Sequence, residues 1–520
     1  MKQYLYILII TCLLAACTGP QVPEQYTQSK ISPRIYPDYQ EVTVPINVAP
    51  LNFELLGPAD EVVVRFSAGE EEIVCDGPKA RPDIEDWKTL TAKAKGQAIS
   101  VEVFARDKEQ WTRFKPFNIY VSPDSIDPWI SYRLISPSYV SYEELTLNQR
   151  SLETFDEEVF VDNMLCSTES GGQCVNCHNF QQYNPDRMQF HARQTHGGTL
   201  IAYDGELEKI DMNNDSLISA GVYPAWHPTM KLIAYSTNKT LQCFHTSALE
   251  KIEVLDAESD LILYDIDRHE VTTIEQQPNE LEIFPCWAPD GKTLYFCSAH
   301  FEYEADSVDM GEIMMRAQEV KYNIYRKTFD PQTKTFGPRE LVFDAAATDS
   351  LHPSMSATFP RISPDGRWLL FTLGEWGCFH IWHHDADLWI MDLNSGKWKK
   401  EGGKRIEDNG DDYEETVRPL DEINSIDTES YHSWSSNGRW IIFSSRRYDG
   451  VFTRPFIAHI DAEGRGSKPF ELPMRNPDVH RQFLKSYNVP EFMKGRVSLT
   501  PQQVASIMKE EGTPITYKSK

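Results

Sequence analysis

After its first 17 residues the 520-residue sequence has no apolar run approaching the length of a transmembrane helix, so no spanning segment is expected in the body of the protein. It has no G-x-S-x-G, no Walker-type glycine loop and no H-E-x-x-H, which leaves serine-hydrolase, nucleotide and zincin readings without a foothold. Positive charge is scarce: 51 Lys and Arg face 78 Asp and Glu, a formal net charge of −27. Nucleic acid and anionic membrane surfaces would repel such a protein, so neither is expected as a partner. Cysteine is sparse as well. The ten present include Cys12 in the leading apolar run, and most of the others are too dispersed for a disulfide framework.

What the sequence does have begins at its N-terminus. Lys2 is followed by an almost wholly apolar stretch from Tyr4 to Leu14, closed by Leu14-Ala15-Ala16-Cys17. The stretch is too short to span a bilayer, and it resembles a bacterial lipoprotein signal, which is cut before a cysteine that then carries lipid. That resemblance implies a signal at 1–16, lipidation of Cys17, and export to the outer membrane, facing the periplasm. The lipid would be the protein's sole membrane contact. An ordinary secretory signal, with Cys17 incidental, is the alternative. The polar, Pro-containing stretch that follows suits a tether over 17–40.

Cys174-Val175-Asn176-Cys177-His178 is the densest chemical signal. In an exported protein, C-x-x-C-H is the attachment sequence of a c-type haem: two thiols form thioethers to one porphyrin and the adjacent imidazole ligates its iron. This spacing predicts one covalent haem c on Cys174, Cys177 and His178, in an inserted loop over 164–198. His191 is the preferred sixth ligand, with Met188 and His196 as alternatives. Two other readings compete. His191 and His196 also complete C-x(2)-C-x(13)-H-x(4)-H, a zinc spacing, and the two thiols alone could form a disulfide or a redox pair.

Self-similarity sets the expected architecture. AWHPTMKLIAYS from Ala225, CWAPDGKTLYFCS from Cys286, RISPDGRWLLFT from Arg361 and SWSSNGRWIIFSS from Ser433 share a turn, a cation and an apolar strand in that order. Asp290-Gly291, Asp365-Gly366 and Asn437-Gly438 are hairpin pairs. These segments resemble the TolB-type, WD-like β-propeller family over about Val121 to Pro473. The resemblance implies radial four-stranded blades, about six of them, and a role in periplasmic protein contacts. Short alternating strands from Glu41 to Ser122 suggest a small immunoglobulin-like sandwich. The expected fold is therefore all-β: a sandwich at 41–123, a propeller at 124–475, and a tail at 476–520.

Other clusters carry weaker signals. His380, His383, His384, Asp385 and Asp387 are dense enough for a transition metal but complete no recognised spacing, so a structural loop is the simpler reading. Asp211 to Asp215 imitates a calcium loop, yet Ser216 replaces the required Gly. The leading functional expectation is a lipid-anchored haem propeller that relays electrons or senses redox state, partnered by an envelope protein. A haem enzyme acting on a small oxidant is a weaker version. The alternative is a scaffold that binds an envelope protein or glycan, with Cys174 and Cys177 in a disulfide or a zinc site.

Overall fold

The computed structural model describes residues 19–137, 144–166, 173–305, 307–348, 352–395, 400–401, 404–405 and 416–519. Cys17, the expected lipid site, lies outside the described residues. The protein divides into two units. One comprises residues 1–125, 153–155 and 470–483, and the other residues 126–152, 156–469 and 484–520.

In the first unit a seven-stranded sheet is centred on Ala98–Asp107, which pairs antiparallel with Glu61–Ala68, Gln110–Arg113 and Phe117–Ser122. Alternation along Glu61–Ala68 buries Val62, Val64 and Phe66. Phe66 meets Trp87 edge-on, with centroids 5.7 Å apart. Trp87 belongs to the helix Ile84–Lys93, which starts where Asp83 accepts the Glu85 N–H at 2.8 Å and buries Trp87, Leu90 and Thr91. The expected immunoglobulin-like sandwich is therefore corrected. Two pairings of the sheet, Thr27–Gln28 with Gln110–Arg113 and Thr43–Pro45 with Phe117–Ser122, are parallel, and a helix covers Phe66.

The second unit is built mainly from antiparallel sheets. Their hairpins turn where expected, with Gly291, Gly366 and Gly438 at φ of 64°, 76° and 66°. Strand Trp129–Ile135 pairs with Thr146–Ser151 on one side and with Ser486–Met493 on the other. Gln173–Phe180, Arg187–Gln194, Gly198–Tyr203 and Glu206–Asp211 follow as a meander. Ser356–Ile362 and Glu429–Trp434 each open a later sheet. The expected propeller of about six blades is also corrected, because among the described residues no sheet closes on itself. The strands from Val222 to Phe343 form part of one continuous nine-stranded sheet. The cause is local: Leu232–Phe244 and Ile252–Asp265 extend to 13 and 14 residues, and Ser259 then pairs with Leu281 of the next hairpin.

The C-terminal segment is integrated into this unit. Helix Pro501–Met508, held by a capping box of Thr500 and Gln503, buries Val504, Ala505 and Met508. Thr513–Pro514 adds a parallel edge to Glu206–Asp211. Among the described residues no helix is long and apolar enough to cross a membrane.

Candidate functional site

Six strands of the second unit share one irregularity. In Gln173–Phe180, Val222–Trp226, Glu280–Trp287, Ser356–Ile362 and Glu429–Trp434 the ladder slips by a bulge, and Ser486–Met493 slips likewise against Trp129–Ile135. A non-glycine residue in the left-handed region marks each slip: Cys177, Tyr223, Phe284, Phe359, Tyr431 and Val489, with φ between 49° and 56°. Such backbone is costly for an L residue and still more for β-branched Val489. In four cases the next residue is proline, Pro224, Pro285, Pro360 or Pro490, which has no N–H to lose where the ladder is broken. In the other two it is histidine, His178 or His432.

All six left-handed residues line a single cavity of about 970 Å³, its open mouth included. Four of them form a continuous aromatic wall. Tyr223 and Phe284 meet at 4.5 Å edge-on, Phe284 and Phe359 at 4.0 Å with planes 31° apart, and Phe359 and Tyr431 at 5.1 Å edge-on. Three residues further along the same strands, Phe180, Trp226, Trp287, Ile362, Trp434 and Phe492 line a second cavity of about 780 Å³. The Trp226 indole donates to the Asn179 carbonyl at 3.3 Å and the Trp434 indole to the Arg361 carbonyl at 3.1 Å. Asn179, Arg361 and Glu491 border both cavities. Asn179 Nδ2 donates to Glu491 Oε1 at 2.6 Å. Burial pushes the Glu491 carboxyl up to about 7, against the pull of Arg361 and the Asn179 bond.

This repeat also accounts for the C-x-x-C-H. Cys177-His178-Asn179-Phe180 occupies the place held by Tyr431-His432-Ser433-Trp434 and by Val489-Pro490-Glu491-Phe492. His178 and His432 have matching surroundings: each imidazole is buried and pushed down to about 3, chiefly by desolvation and then by a nearby guanidinium, Arg133 or Arg361. His178 also meets the backbone of Val489 and Ser131, and His432 that of Leu370 and Phe359.

The haem expectation is corrected on this geometry. Residues 173–194 are a strand pair, with Asn176 opposite His191 and Phe180 opposite Met188, where a haem-bearing loop was expected. Cys174 packs against an apolar cluster while Cys177 faces the cavity, so the two thiols do not present one face to a porphyrin. His178 is 3% exposed. His191 bonds Thr199 Oγ1 through Nδ1 at 3.2 Å, and Met188 is buried in the same apolar cluster as Phe190. Among the described residues no group of three or more His, Cys, Asp and Glu side chains could hold a metal ion, and Cys174 and Cys177 are free thiols. Neither haem iron nor zinc fits these side chains.

The histidine cluster resolves into separate contacts. His380 Nδ1 meets Thr358 Oγ1 at 2.8 Å, and His383 Nε2 meets Glu253 Oε2 at 2.7 Å. His384 lies 2.8 Å from both Asp427 and Glu250. Asp211 accepts the Asn213 N–H at 3.0 Å within a turn.

No family model and no curated protein matches the sequence. Among solved structures, TolB from Acinetobacter baumannii is similar at 14% identity over 79% of this chain and 85% of that one, with a TM-score of 0.41. A tricorn protease is similar at 12% identity over 73% of this chain and 33% of that one, at 0.33. A Synechocystis apocarotenoid oxygenase mutant gives 11% identity over 87% of this chain and 98% of that one, at 0.35. Likenesses this distant assign neither family nor activity, and the TolB resemblance stays weak and partial.

Proposed function

We propose that this is a ligand-binding protein of the cell envelope, tethered by lipid on Cys17 at the outer membrane and facing the periplasm. The observation that carries this is the convergence of six strained, cavity-lining residues from six strands. Left-handed backbone at non-glycine residues costs on the order of 1 kcal/mol each and persists where the surrounding structure enforces it, commonly at ligand sites. An apolar cavity with a few converging polar groups is the usual form of such a site.

The lining favours a glycan. A sugar ring has an apolar C–H face and a rim of hydroxyls, and this wall supplies both counterparts. Half-buried Tyr223 offers an apolar ring beside the packed Phe284 and Phe359, while Asn176, Asn179, Thr240 and Gln242 supply amides and a hydroxyl. Calorimetric titration of the mature protein with di- and trisaccharides released from envelope polysaccharides tests the reading. Saturable binding that is lost in Phe284→Ser with Phe359→Ser supports it. Binding that persists undiminished in that folded variant refutes it.

A further inference from the structure

The hairpin of Leu232–Phe244 and Ile252–Asp265 contributes one side of the main cavity, and its two halves differ. The first seven residues of Leu232–Phe244 are buried, whereas Lys239 to Phe244 are exposed or half-buried. The change falls at a bulge: Lys239 lies opposite Glu258 and Thr240 opposite Asp256, which leaves Ala257 as the extra residue. The Tyr303 hydroxyl donates to the Ala257 carbonyl at 2.8 Å and holds the backbone at that point. Beyond the bulge Gln242 lies opposite Val254, and Thr240, Gln242, Ile252 and Val254 all line the cavity. At its far end the hairpin meets segments that lead into another sheet. His384 Nε2 lies 2.8 Å from Glu250, and its Nδ1 lies 2.8 Å from Asp427. An imidazole that donates from both nitrogens ties the hairpin tip to the bend before Glu429–Trp434. The neighbouring His383 Nε2 meets Glu253 at 2.7 Å. The tip seats against Gly450, where a Cβ would lie 3.5 Å from both Leu249 Cδ1 and His384 Cε1. Between bulge and tip, the buried Cys378 Sγ lies 3.6 Å from the Val254 carbonyl and from Asp256 Oδ2.

We propose that residues 240–256 are a lid on the cavity, hinged at the Ala257 bulge and latched at the tip by His384. This rests on the cavity being the ligand site and adds how that site is opened and shut. Burial of Ile252 and Val254 makes the closed position the resting one. The latch is of a different kind. It is polar and sits at the rim, with the His384 and Glu250 side chains 37% and 41% exposed, so water can replace its bonds as they part. An element whose outer end is held by few contacts opens locally at less cost than the whole unit unfolds, and closure of such an element commits a ligand to its site. Breaking the latch therefore raises the open population without melting the sheets.

Three thiols already in the protein report the motion. Cys177 lines the cavity, Cys378 lies against the lid, and Cys166 is buried in a separate apolar cluster. The mature protein and its His384→Ala and Glu250→Gln variants are alkylated without denaturant, once with iodoacetamide and once with the bulkier fluorescein maleimide, and the rate at each cysteine is read by peptide mass spectrometry. Loss of a charge-assisted bond at the latch is expected to raise the iodoacetamide rate at Cys378 and the fluorescein maleimide rate at Cys177 about tenfold, with Cys166 unchanged. Either variant alone decides the question if the other does not fold. Unchanged rates at Cys177 and Cys378 overturn the lid. A rise confined to Cys378 overturns it as well, since the hairpin then moves without admitting anything to the cavity. An equal rise at Cys166 also overturns it, because His384 then braces the whole unit. None of these results bears on the ligand reading, since no glycan enters the experiment; failure of every glycan in calorimetry removes that reading and leaves the thiol rates to decide the lid.

Discussion

Phe284 and Phe359 sit in left-handed backbone on two strands of different sheets, and their rings meet at 4.0 Å with planes 31° apart. The contact joins two sheets that share no hydrogen bond ladder through these strands, and it forms the centre of the cavity wall. Phe359→Leu keeps apolar volume but removes the stacked face. It is expected to weaken glycan binding about tenfold while costing about 1 kcal/mol of stability. Parallel calorimetry and urea denaturation check the two effects separately.

Cys174 packs against an apolar cluster while Cys177 lines the cavity, so the two thiols are not placed to hold one porphyrin. The mature protein, produced with c-type haem maturation machinery present, should show no Soret absorption and an intact mass without added porphyrin. Replacing both cysteines by Ala should leave a folded protein, less stable by about 1 kcal/mol through lost packing at Cys174. Denaturant midpoints measure that loss.

Glu282 is fully buried, and its carboxyl is pushed up to about 9 by desolvation and by Asp260, Glu275 and Glu280 nearby. A folded-state value above the ordinary 4.5 means that the contribution of Glu282 to stability is fully present below pH 4.5 and is lost as pH rises toward 9. At about 1.4 kcal/mol per unit, the penalty reaches about 3 kcal/mol by pH 7. Glu282→Gln should therefore raise the urea midpoint at pH 7 to 8 and leave it unchanged near pH 4.

Three buried imidazoles act in the opposite sense. His178, His191 and His432 are each held near 3, below the ordinary 6.5, mainly by burial. Their contribution is intact above pH 6.5 and is lost as pH falls toward 3, by about 2 kcal/mol per histidine at pH 5. Acid unfolding should set in above the range where surface carboxylates titrate. His432→Gln should reduce the slope of stability against pH between 6.5 and 5, leaving the shares of the other depressed histidines, His380 and His227 among them.

The strand pairs of the second unit were legible because hairpin pairs such as Asp290-Gly291 and apolar runs such as Trp440-Ile441-Ile442-Phe443 are short-range signals. The cavity was not, although its signal lies one or two residues before each repeat that was read. Tyr223-Pro224, Phe284-Pro285, Phe359-Pro360, Tyr431-His432 and Val489-Pro490 are five forms of one bulge, and Cys177-His178 is the sixth. Spacing rules see Cys174 and Cys177 as a pair because they count residues along the backbone. The bulge that turns Cys177 toward the cavity depends on pairing with Arg187–Gln194, which is a tertiary event. Helix Ile84–Lys93 was missed for a similar reason, since its apolar contacts, Trp87 and Leu90, are few and acquire meaning only against Phe66 and its sheet.

The central claim is that six separated segments form one ligand site. Hydrogen–deuterium exchange of the mature protein, with and without its best-bound trisaccharide, measures this directly. The expected result is simultaneous protection around residues 176–178, 222–224, 283–285, 358–360, 430–432 and 488–490. Protection confined to other segments, or to one of these alone, would contradict it.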